Sequence, residues 1–269
     1  MQVIRKSKAV LSAIGAKAIT LYKEKACPLA TRLKEQEYGY LEIGLPGDRT
    51  AIQEKLNKCL QDSDFPPYNE DDGMQSEHLM IFAAIAMSNQ YNPLNILEIG
   101  TYDGKTAHIL SQLFPTAAIT TIDLKDDDPI FSDTYGREQA DYRRLFITQR
   151  HFNLAKGSNI NFIQHNSLNL ARLEVGNYDL IWVDGAHGYP VACCDITNSI
   201  RFLSKSGILM YDDVWIKIKK SDRMYSSTAS WETLSEYDNA GITRTRLLRK
   251  RLGTKHLVNE KFVSFSSLR

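Results

Sequence analysis

The stretch from Asn95 to Thr106 reads Asn-Ile-Leu-Glu-Ile-Gly-Thr-Tyr-Asp-Gly-Lys-Thr, and the other elements of the chain can be placed relative to it. Its apolar first half predicts a short buried strand, and residues 106–114 have the pattern of a helix. A strand, a glycine turn and a helix in this order form the ligand-binding corner of a doubly wound α/β sheet. Gly100 and Gly104 can adopt backbone angles that other residues avoid, and the free N–H groups at the helix start suit a carboxylate or phosphate.

Strands and helices alternate along the chain beyond this corner, which predicts a doubly wound, mainly parallel α/β sheet of seven strands. A strongly apolar helix is predicted before the first strand, and helices follow the fourth and fifth strands. Two β-rich pieces on either side of Asn259 and Glu260 predict an antiparallel hairpin at the C-terminal edge. The predicted strands after the corner are 118–124, 161–167, 178–184 and 207–213, the helices are 76–89, 191–203 and 226–239, and the hairpin strands are 256–258 and 262–265.

Residues 1–72 are predicted to form an N-terminal helical accessory region, followed by the main domain over residues 73–269. Residues 50–61 have apolar side chains on one helical face, and residues 38–47 read as a turn-rich connection. The acidic segment 62–73 contains Pro-Pro and marks the boundary between the two regions.

The first 23 residues contain five basic residues and no acid, and their apolar residues recur at helical spacing. Such a basic amphipathic helix either docks on a membrane surface or a partner, or covers a core face or a dimer interface. The N-terminal helical region is therefore also a candidate surface for a homo-oligomer. The apolar positions are Val3, Val10, Leu11, Ile14, Ala18 and Leu21.

Composition excludes several classes of function for this chain of 269 residues. Its net charge of +1 offers no general attraction for nucleic acid, and the basic stretch 244–255 lacks aromatic residues for base stacking. The four cysteines have neither zinc-ligand spacing nor a C-x-x-C pair, so reduced thiols and a cytoplasmic location are expected. No apolar run has the length of a transmembrane segment.

The glycine corner resembles a known cofactor motif. Glu98-Ile-Gly100-Thr-Tyr102-Asp-Gly104 is similar to motif I of the class I S-adenosylmethionine (SAM) methyltransferases, E/D-x-G-x-G-x-G, with Tyr102 at the middle glycine. This variant looks most like the catechol-type and related small-molecule O-methyltransferases. The resemblance implies that Glu98, Gly100, Tyr102 and Gly104 bind SAM in a Rossmann-like domain.

Further positions along the chain have cofactor roles in this interpretation. Asp123 ends the second strand about twenty residues after the corner, where a carboxylate can accept hydrogen bonds from both ribose hydroxyls. Alternatively, Asp123 caps the turn that follows. By resemblance, Asn166 and Ser167 lie beside the adenine ring, although His165 replaces a glycine that is frequent in the family. Residues 75–78 are expected to face SAM for the same reason.

Three acids are predicted at the carboxyl ends of neighbouring strands: Asp184 after the fourth, and Asp212 and Asp213 after the fifth. Their oxygens suit Mg²⁺ if they converge. Adjacent acids on a strand point in opposite directions, so the alternative is that one acid caps a helix and another faces solvent. Metal-dependent O-methyltransferases carry acids at matching positions. The resemblance therefore implies a Mg²⁺ site at all three, with Asp184 also in the cofactor set.

His187 stands three residues after Asp184, where the catechol-type enzymes place a lysine general base. Imidazole is a competent proton acceptor at neutral pH, although a lone histidine is more often structural. The acidic pair ending in Asp213 is closer to the branch that methylates sugars on natural products. The resemblance thus implies that His187 is the catalytic base.

Residues 126–153 form a longer connection than the usual crossover and are expected to shape substrate access as a lid or pocket wall. Four of its residues either contact an anionic or sugar substrate or lie on a solvated helix face. They are Arg137, Tyr142, Arg143 and Arg150.

The expected function is Mg²⁺-assisted methyl transfer from SAM to a hydroxyl of a small molecule, with sugars and vicinal diols among the acceptors that the resemblance implies. Two alternatives stay open. One is metal-independent methyl transfer to nitrogen or oxygen, and the other is a protein that binds SAM or a partner without catalysis.

Overall fold

The structure is a computed structural model that describes residues 28–70, 77–173, 176–216, 227–228, 242–249 and 260–268. Within these residues the chain alternates helices and strands as the sequence predicts. The helices are α1 (Leu29–Glu42), α2 (Arg49–Asp62), α3 (Glu77–Met87), α4 (Lys105–Leu113), α5 (Pro129–Ser132), α6 (Ala140–Ala155) and α7 (Val191–Phe202), with a 3₁₀ helix at Ser167–Arg172. The strands are β1 (Asn95–Ile99), β2 (Ala118–Asp123), β3 (Ile160–Gln164), β4 (Tyr178–Val183), β5 (Leu203–Ile216), β6 (Ile242–Arg249) and β7 (Glu260–Leu268).

Seven strands form one sheet in the order β3-β2-β1-β4-β5-β7-β6. The first five are parallel, and β7 pairs antiparallel with both β5 and β6. This confirms the predicted doubly wound sheet with an antiparallel edge. The strand order reverses between β1 and β4, and ligands in open α/β sheets bind at the carboxyl ends of the strands beside such a reversal.

The central strands are apolar because both of their faces are covered. Four of the five residues of β1 are buried, and alternate side chains face opposite sides of the sheet. Trp182 belongs to the core under α3 and α4, whereas Ile181 belongs to the core on the other face. α3 is buried along nearly all of its length, which explains its continuous apolar sequence.

The first two helices pack into the same core as the sheet, through buried residues such as Leu56 and Leu60. A buried polar junction fixes this packing. Arg49 donates to both carboxylate oxygens of Glu77, at 2.6 and 2.9 Å, and the Tyr40 hydroxyl donates to Glu77 as well. Burial and the neighbouring carboxylate raise the pKa of Tyr40 well above its usual value. The boundary between an accessory region and a main domain stays a prediction.

The partner strand of β7 differs from the predicted one. Residues 256–258 lie outside the described residues, and β7 pairs instead with β6 along Ile242–Arg249. Residues 244–249 belong to the basic stretch 244–255, for which the sequence pattern did not predict a strand. β6 is the outermost strand of the described sheet, and charged side chains are typical of an exposed edge.

Two other local expectations need correction. Residues 38–47 were expected to be a turn-rich connection, but α1 continues to Glu42 because Tyr40 is buried and bonded to Glu77. β5 runs from Leu203 to Ile216, longer than expected, because it pairs with both β4 and β7. The amphipathic segment 1–23 and most of the predicted helix 226–239 lie outside the described residues. Among the described helices, none combines the length and apolar character needed to cross a bilayer.

Candidate functional site

A cavity of about 540 Å³ opens at the carboxyl ends of β1, β2, β4 and β5, where the strand order reverses. This volume is in the range of small-molecule and cofactor sites. Most of the predicted site residues line it, and Glu98 and Gly104 do not. The predicted residues that line it are Gly100, Tyr102, Asp123, Asn166, Ser167, Asp184, His187, Asp212 and Asp213.

The glycine corner is fixed by close contacts between backbones. A Cβ atom at Gly100 would lie 2.3 Å from the carbonyl oxygen of Asp184, and the Gly100 φ of 102° is open mainly to glycine. The Gly100 N–H donates to Ile122 at 2.9 Å, and the Asp184 N–H donates to Ile99 at 2.8 Å. The tips of β1, β2 and β4 are therefore held together around the turn.

Tyr102 occupies the position of the middle glycine and has a φ of 50°, in the left-handed region. This conformation is costly for a residue with a side chain. The Tyr102 ring packs edge-on against Tyr135 and Phe146, with centroid distances of 5.8 and 5.0 Å. These ring contacts offset the backbone cost and explain how a tyrosine replaces glycine here.

Glu98 lies beneath the corner and is fully buried. Its Oε2 accepts a hydrogen bond of 2.5 Å from Thr121, and Thr121 in turn lies 2.6 Å from the hydroxyl of Thr101, which lines the cavity. Burial raises the pKa of Glu98 to about 8, although the Thr121 hydrogen bond opposes this rise. Glu98 therefore supports the corner through two threonines, and its direct contact with a cofactor stays a prediction.

Asp123 has the capping role that was one of the two considered for it, and its ribose contact stays a prediction. Its two oxygens accept hydrogen bonds of 2.8 Å from the backbone N–H groups of Tyr102 and Leu124, so it caps the turn and ties it to the corner. Burial raises the pKa of Asp123, and these two hydrogen bonds oppose the rise. Its side chain also lines the cavity, where the predicted ribose contact would form.

The predicted catalytic histidine lies between two of the three acids. The Nε2 atom of His187 is 3.8 Å from Asp184 Oδ1 and 3.9 Å from Asp213 Oδ2. Asp213 has a φ of 55° at a bulge in β5, where the register with β7 shifts. The bulge removes the strict alternation of a strand, so that Asp212 and Asp213 both line the cavity.

The arrangement of these acids is not that of a preformed metal site. Within the described ranges, no three His, Cys, Asp or Glu side chains converge closely enough to hold an ion. The predicted Mg²⁺ ligands are brought to one cavity wall, and His187 lies between two of them.

The long connection contributes one wall of the cavity, as predicted. Of the four residues of this connection named as candidates for substrate contact, Arg137 lines the cavity. The Arg137 guanidinium lies 4.1 Å from the ring centre of Phe131. Arg150 is instead buried and donates to Asp126 at 2.5 Å, which makes it a structural residue. Tyr142 is exposed, and Arg143 donates at 3.5 Å to the Arg137 carbonyl outside the cavity lining.

His78 lines the cavity from the start of α3, within the range expected to face the cofactor. Its ring stacks on Trp182 with a centroid distance of 4.9 Å, whereas residues 75 and 76 lie outside the described part. The sequence reasoning missed Lys105, Thr134 and Tyr135, which also line the cavity, because no motif singles them out. It also missed Asp195, which is buried in α7. The signal for it was available, because Asp195 is the single acid in the sequence of that helix.

Comparison with known proteins agrees with this geometry. Residues 97–214 match a family described as a methyltransferase domain. No curated protein is significantly similar to the chain in sequence. The crystal structure of cofactor-bound Rv0187 from MTB is 14% identical, with a TM-score of 0.51, and the match covers 81% of this chain and 90% of that one.

A second similar structure is the MycE methyltransferase from the mycinamycin biosynthetic pathway, in complex with Mg, SAH and mycinamycin VI. It is 14% identical with a TM-score of 0.51, and the match covers 80% of this chain and 54% of MycE. At such low identity both structures establish the fold alone. Residues 97–214 therefore match a methyltransferase domain in sequence, and the two similar structures share the fold described above.

Proposed function

We propose that this protein transfers the methyl group of SAM to a hydroxyl of a small molecule, with His187 as the proton acceptor. The observation that carries the proposal is the position of His187. It lines the same cavity as the glycine corner, and its Nε2 lies within 4 Å of the carboxylates of Asp184 and Asp213. A histidine in this place can take the proton of an acceptor hydroxyl that is bound beside the cofactor.

The reaction would follow from this placement. SAM supplies an electrophilic methyl group on a sulfonium. His187 would take the proton of the acceptor hydroxyl, so that the oxygen could accept the methyl group that bound SAM would supply. The protonated ring would form ion pairs with Asp184 and Asp213. Most of the rate gain in such a transfer comes from holding the two reactants in the reactive geometry.

We also propose that a divalent cation assists the transfer. Asp184, Asp212 and Asp213 supply carboxylate oxygens, which suit Mg²⁺ in kind. Such an ion would lower the pKa of a bound hydroxyl. Support comes from this donor chemistry and from the Mg in the MycE complex. The described acids do not surround a common point that could hold an ion. For an ion to bind there, the His187 ring or one of the carboxylates would have to turn.

The first experiment tests the histidine. The full chain is incubated with SAM and a panel of sugars, vicinal diols and monohydroxylated aromatic compounds, and methylated products are detected by mass spectrometry. His187→Ala should lower turnover about 100-fold or more, the range of a lost general base, while SAM binding stays within about threefold. His151→Ala is the matched control, because His151 is exposed and lies outside the cavity lining. Turnover that survives His187→Ala would exclude His187 as the base.

A second candidate is methyl transfer without a metal, which the lack of convergence among the described acids favours. The two candidates separate on treatment with EDTA. Turnover that stops with EDTA and returns with Mg²⁺ supports the cation, and unchanged turnover supports the metal-free reaction. A chain that binds SAM but methylates no acceptor under either condition would indicate a binding protein instead.

A further inference from the structure

The outer face of α6 exposes large apolar side chains. Leu145 is 67% exposed and Phe152 is 58% exposed, and Tyr142 is exposed as well. Because an α-helix has 3.6 residues per turn, Leu145 and Phe152 are two turns apart and lie on the same face. Thr148 and Gln149, which lie between them, are also exposed. Large apolar side chains that are grouped on an exposed helix face indicate an interaction surface.

The opposite face of α6 is fixed to the glycine corner. Phe146 packs against the Tyr102 ring with a centroid distance of 5.0 Å. The Asn153 side chain donates to the Asp103 carbonyl at 2.8 Å. The helix therefore cannot rotate to bury its apolar face without breaking these contacts. The exposed face belongs to the folded chain, and another molecule has to cover it if it is to be covered by rigid docking.

Opposite charges lie at the two ends of this face. At the N-terminal end, Asp141 is exposed and lies 3.0 Å from Arg144 of the same helix. Just beyond the C-terminal end, the Lys156 ammonium lies 4.8 Å from the ring centre of Phe152 and donates to the Ser63 carbonyl at 3.0 Å. An ammonium carries three donors, so Lys156 can bind a further carboxylate.

We propose that α6 packs antiparallel against α6 of a second copy of the chain. The two-fold axis then passes between positions 148 and 149. Leu145 lies opposite Phe152 of the second copy, and Asp141 lies opposite its Lys156. One register thus satisfies the apolar and the charged contacts together. A parallel pair would instead bring the two copies of Asp141 together, and like charges at an interface are unfavourable.

The apolar contacts would supply most of the affinity, since exposed ion pairs contribute little. The charges would set direction and register. A stable interface buries roughly 1,200–2,000 Å² in total, so the contact has to extend beyond α6. A methyl group built on Gly136 would lie 3.6 Å from the Tyr142 ring, so the exposed Tyr135 beside Gly136 extends the same surface. Tyr135 also lines the cavity, and the second copy would therefore border the cavity mouth.

The first experiment measures self-association of the full chain by sedimentation equilibrium. The wild type should form a dimer with a Kd of about 10 μM or tighter. Leu145→Asp and Phe152→Asp should each weaken the dimer about tenfold or more, because each would bury a charge against an apolar side chain. Both positions are exposed, so the circular dichroism spectra of the variants should match that of the wild type.

Tyr38→Asp is the matched control. Tyr38 is also a large exposed side chain on a helix, but it lies on α1. The dimer should be unchanged within about twofold in this variant, because surface substitutions away from an interface have small effects.

Cysteine cross-linking tests the direction of the pair. Chains carrying Leu145→Cys and Phe152→Cys are mixed and mildly oxidised, and linked peptides are identified by mass spectrometry. The mixture should form a disulfide between the two substituted positions. Leu145→Cys alone should not link to itself, since the two copies of position 145 would lie about 10 Å apart along the helix axis. Oxidised wild type is the blank, because Cys194 is exposed.

Each outcome decides the proposal. A wild-type chain that stays monomeric up to about 500 μM overturns it. A dimer that survives both aspartate substitutions on α6 overturns it as well, and a dimer lost only in Tyr38→Asp would assign the interface to the N-terminal helical region. Self-linking of Leu145→Cys without the mixed product would show a parallel pair and overturn the antiparallel register. The proposed methyl transfer stands or falls separately from all of these results.

Discussion

The two ends of the cavity are built from different parts of the chain. At the glycine corner, main-chain atoms set the geometry: Gly100 lies against the backbone of Asp184, and hydrogen bonds join the tips of β1, β2 and β4. At the acid end, side chains set it, with His187 at 3.8 and 3.9 Å from two carboxylates. A backbone site admits almost no variation in shape, whereas side chains can turn to admit an acceptor or an ion.

Gly100→Ala should have the largest effect, because it tests the backbone-built end directly. The added methyl would lie 2.3 Å from a backbone oxygen, and a φ of 102° is strained for alanine. We expect S-adenosylhomocysteine affinity to fall about 100-fold or more, measured by titration calorimetry. Gly176→Ala is the control, since its added methyl would meet nothing within 4 Å. Unchanged affinity in Gly100→Ala would show that the corner is not rigid.

Asp213→Asn tests whether the acid end is independent of the corner. The amide keeps the shape and removes one of the two charges that flank His187. We expect turnover to fall about tenfold to 100-fold, because the protonated base loses an ion-pair partner. Cofactor affinity should stay within about threefold, measured by the same titration. An equal loss of turnover and affinity would mean that the two ends are coupled.

Glu98→Gln tests the support under the corner through the pH dependence of stability. The pKa of Glu98 is raised from 4.5 to about 8, so between these values the folded chain holds a proton that the unfolded chain releases. This contribution to stability is complete below the unfolded pKa and is lost as pH rises through about 8. From pH 6.5 to 8 the wild type should lose about 2 kcal/mol relative to Glu98→Gln.

Denaturant unfolding at pH 5, 6.5 and 8 measures this difference. Glu54→Gln is the control, because Glu54 is exposed on α2, and its curve should follow that of the wild type. Parallel pH profiles for Glu98→Gln and the wild type would show that Glu98 is not buried as an acid.

Tyr102→Phe should have the smallest effect. Ring packing against Tyr135 and Phe146 accounts for the tyrosine at a glycine position, and phenylalanine keeps that packing. We expect a change in the free energy of unfolding of less than about 0.5 kcal/mol and unchanged cofactor affinity. A tenfold loss of affinity would instead show that the Tyr102 hydroxyl touches the ligand.

The corner could be predicted because its geometry depends on local residues. Gly100 and Gly104 stand at positive φ angles that few other residues tolerate, so their spacing in the sequence records the shape of the turn. The alternation of strands and helices was equally readable, because the parallel strands are buried on both faces and therefore continuously apolar.

The remaining features depend on pairing between distant segments. The bulge at Asp213 arises where β5 meets β7, so the sequence around Asp213 alone does not predict it. β6 became visible as a strand only through its pairing with β7. Asp195 has no motif around it, and its position near Gly185 follows only from the packing of α7 against the sheet.

The junction of Arg49, Tyr40 and Glu77 has a consequence for how the chain can be divided. Glu77 immediately precedes His78, whose ring forms part of the cavity wall. Removing Arg49 would leave the buried Glu77 carboxylate without its ion-pair partner, with the Tyr40 hydroxyl as its remaining donor at this junction. A fragment that begins after α2 would keep the whole glycine corner and still lack the anchor for one side of its cofactor cavity. We therefore expect the smallest unit that keeps this cavity wall intact to include α1 and α2.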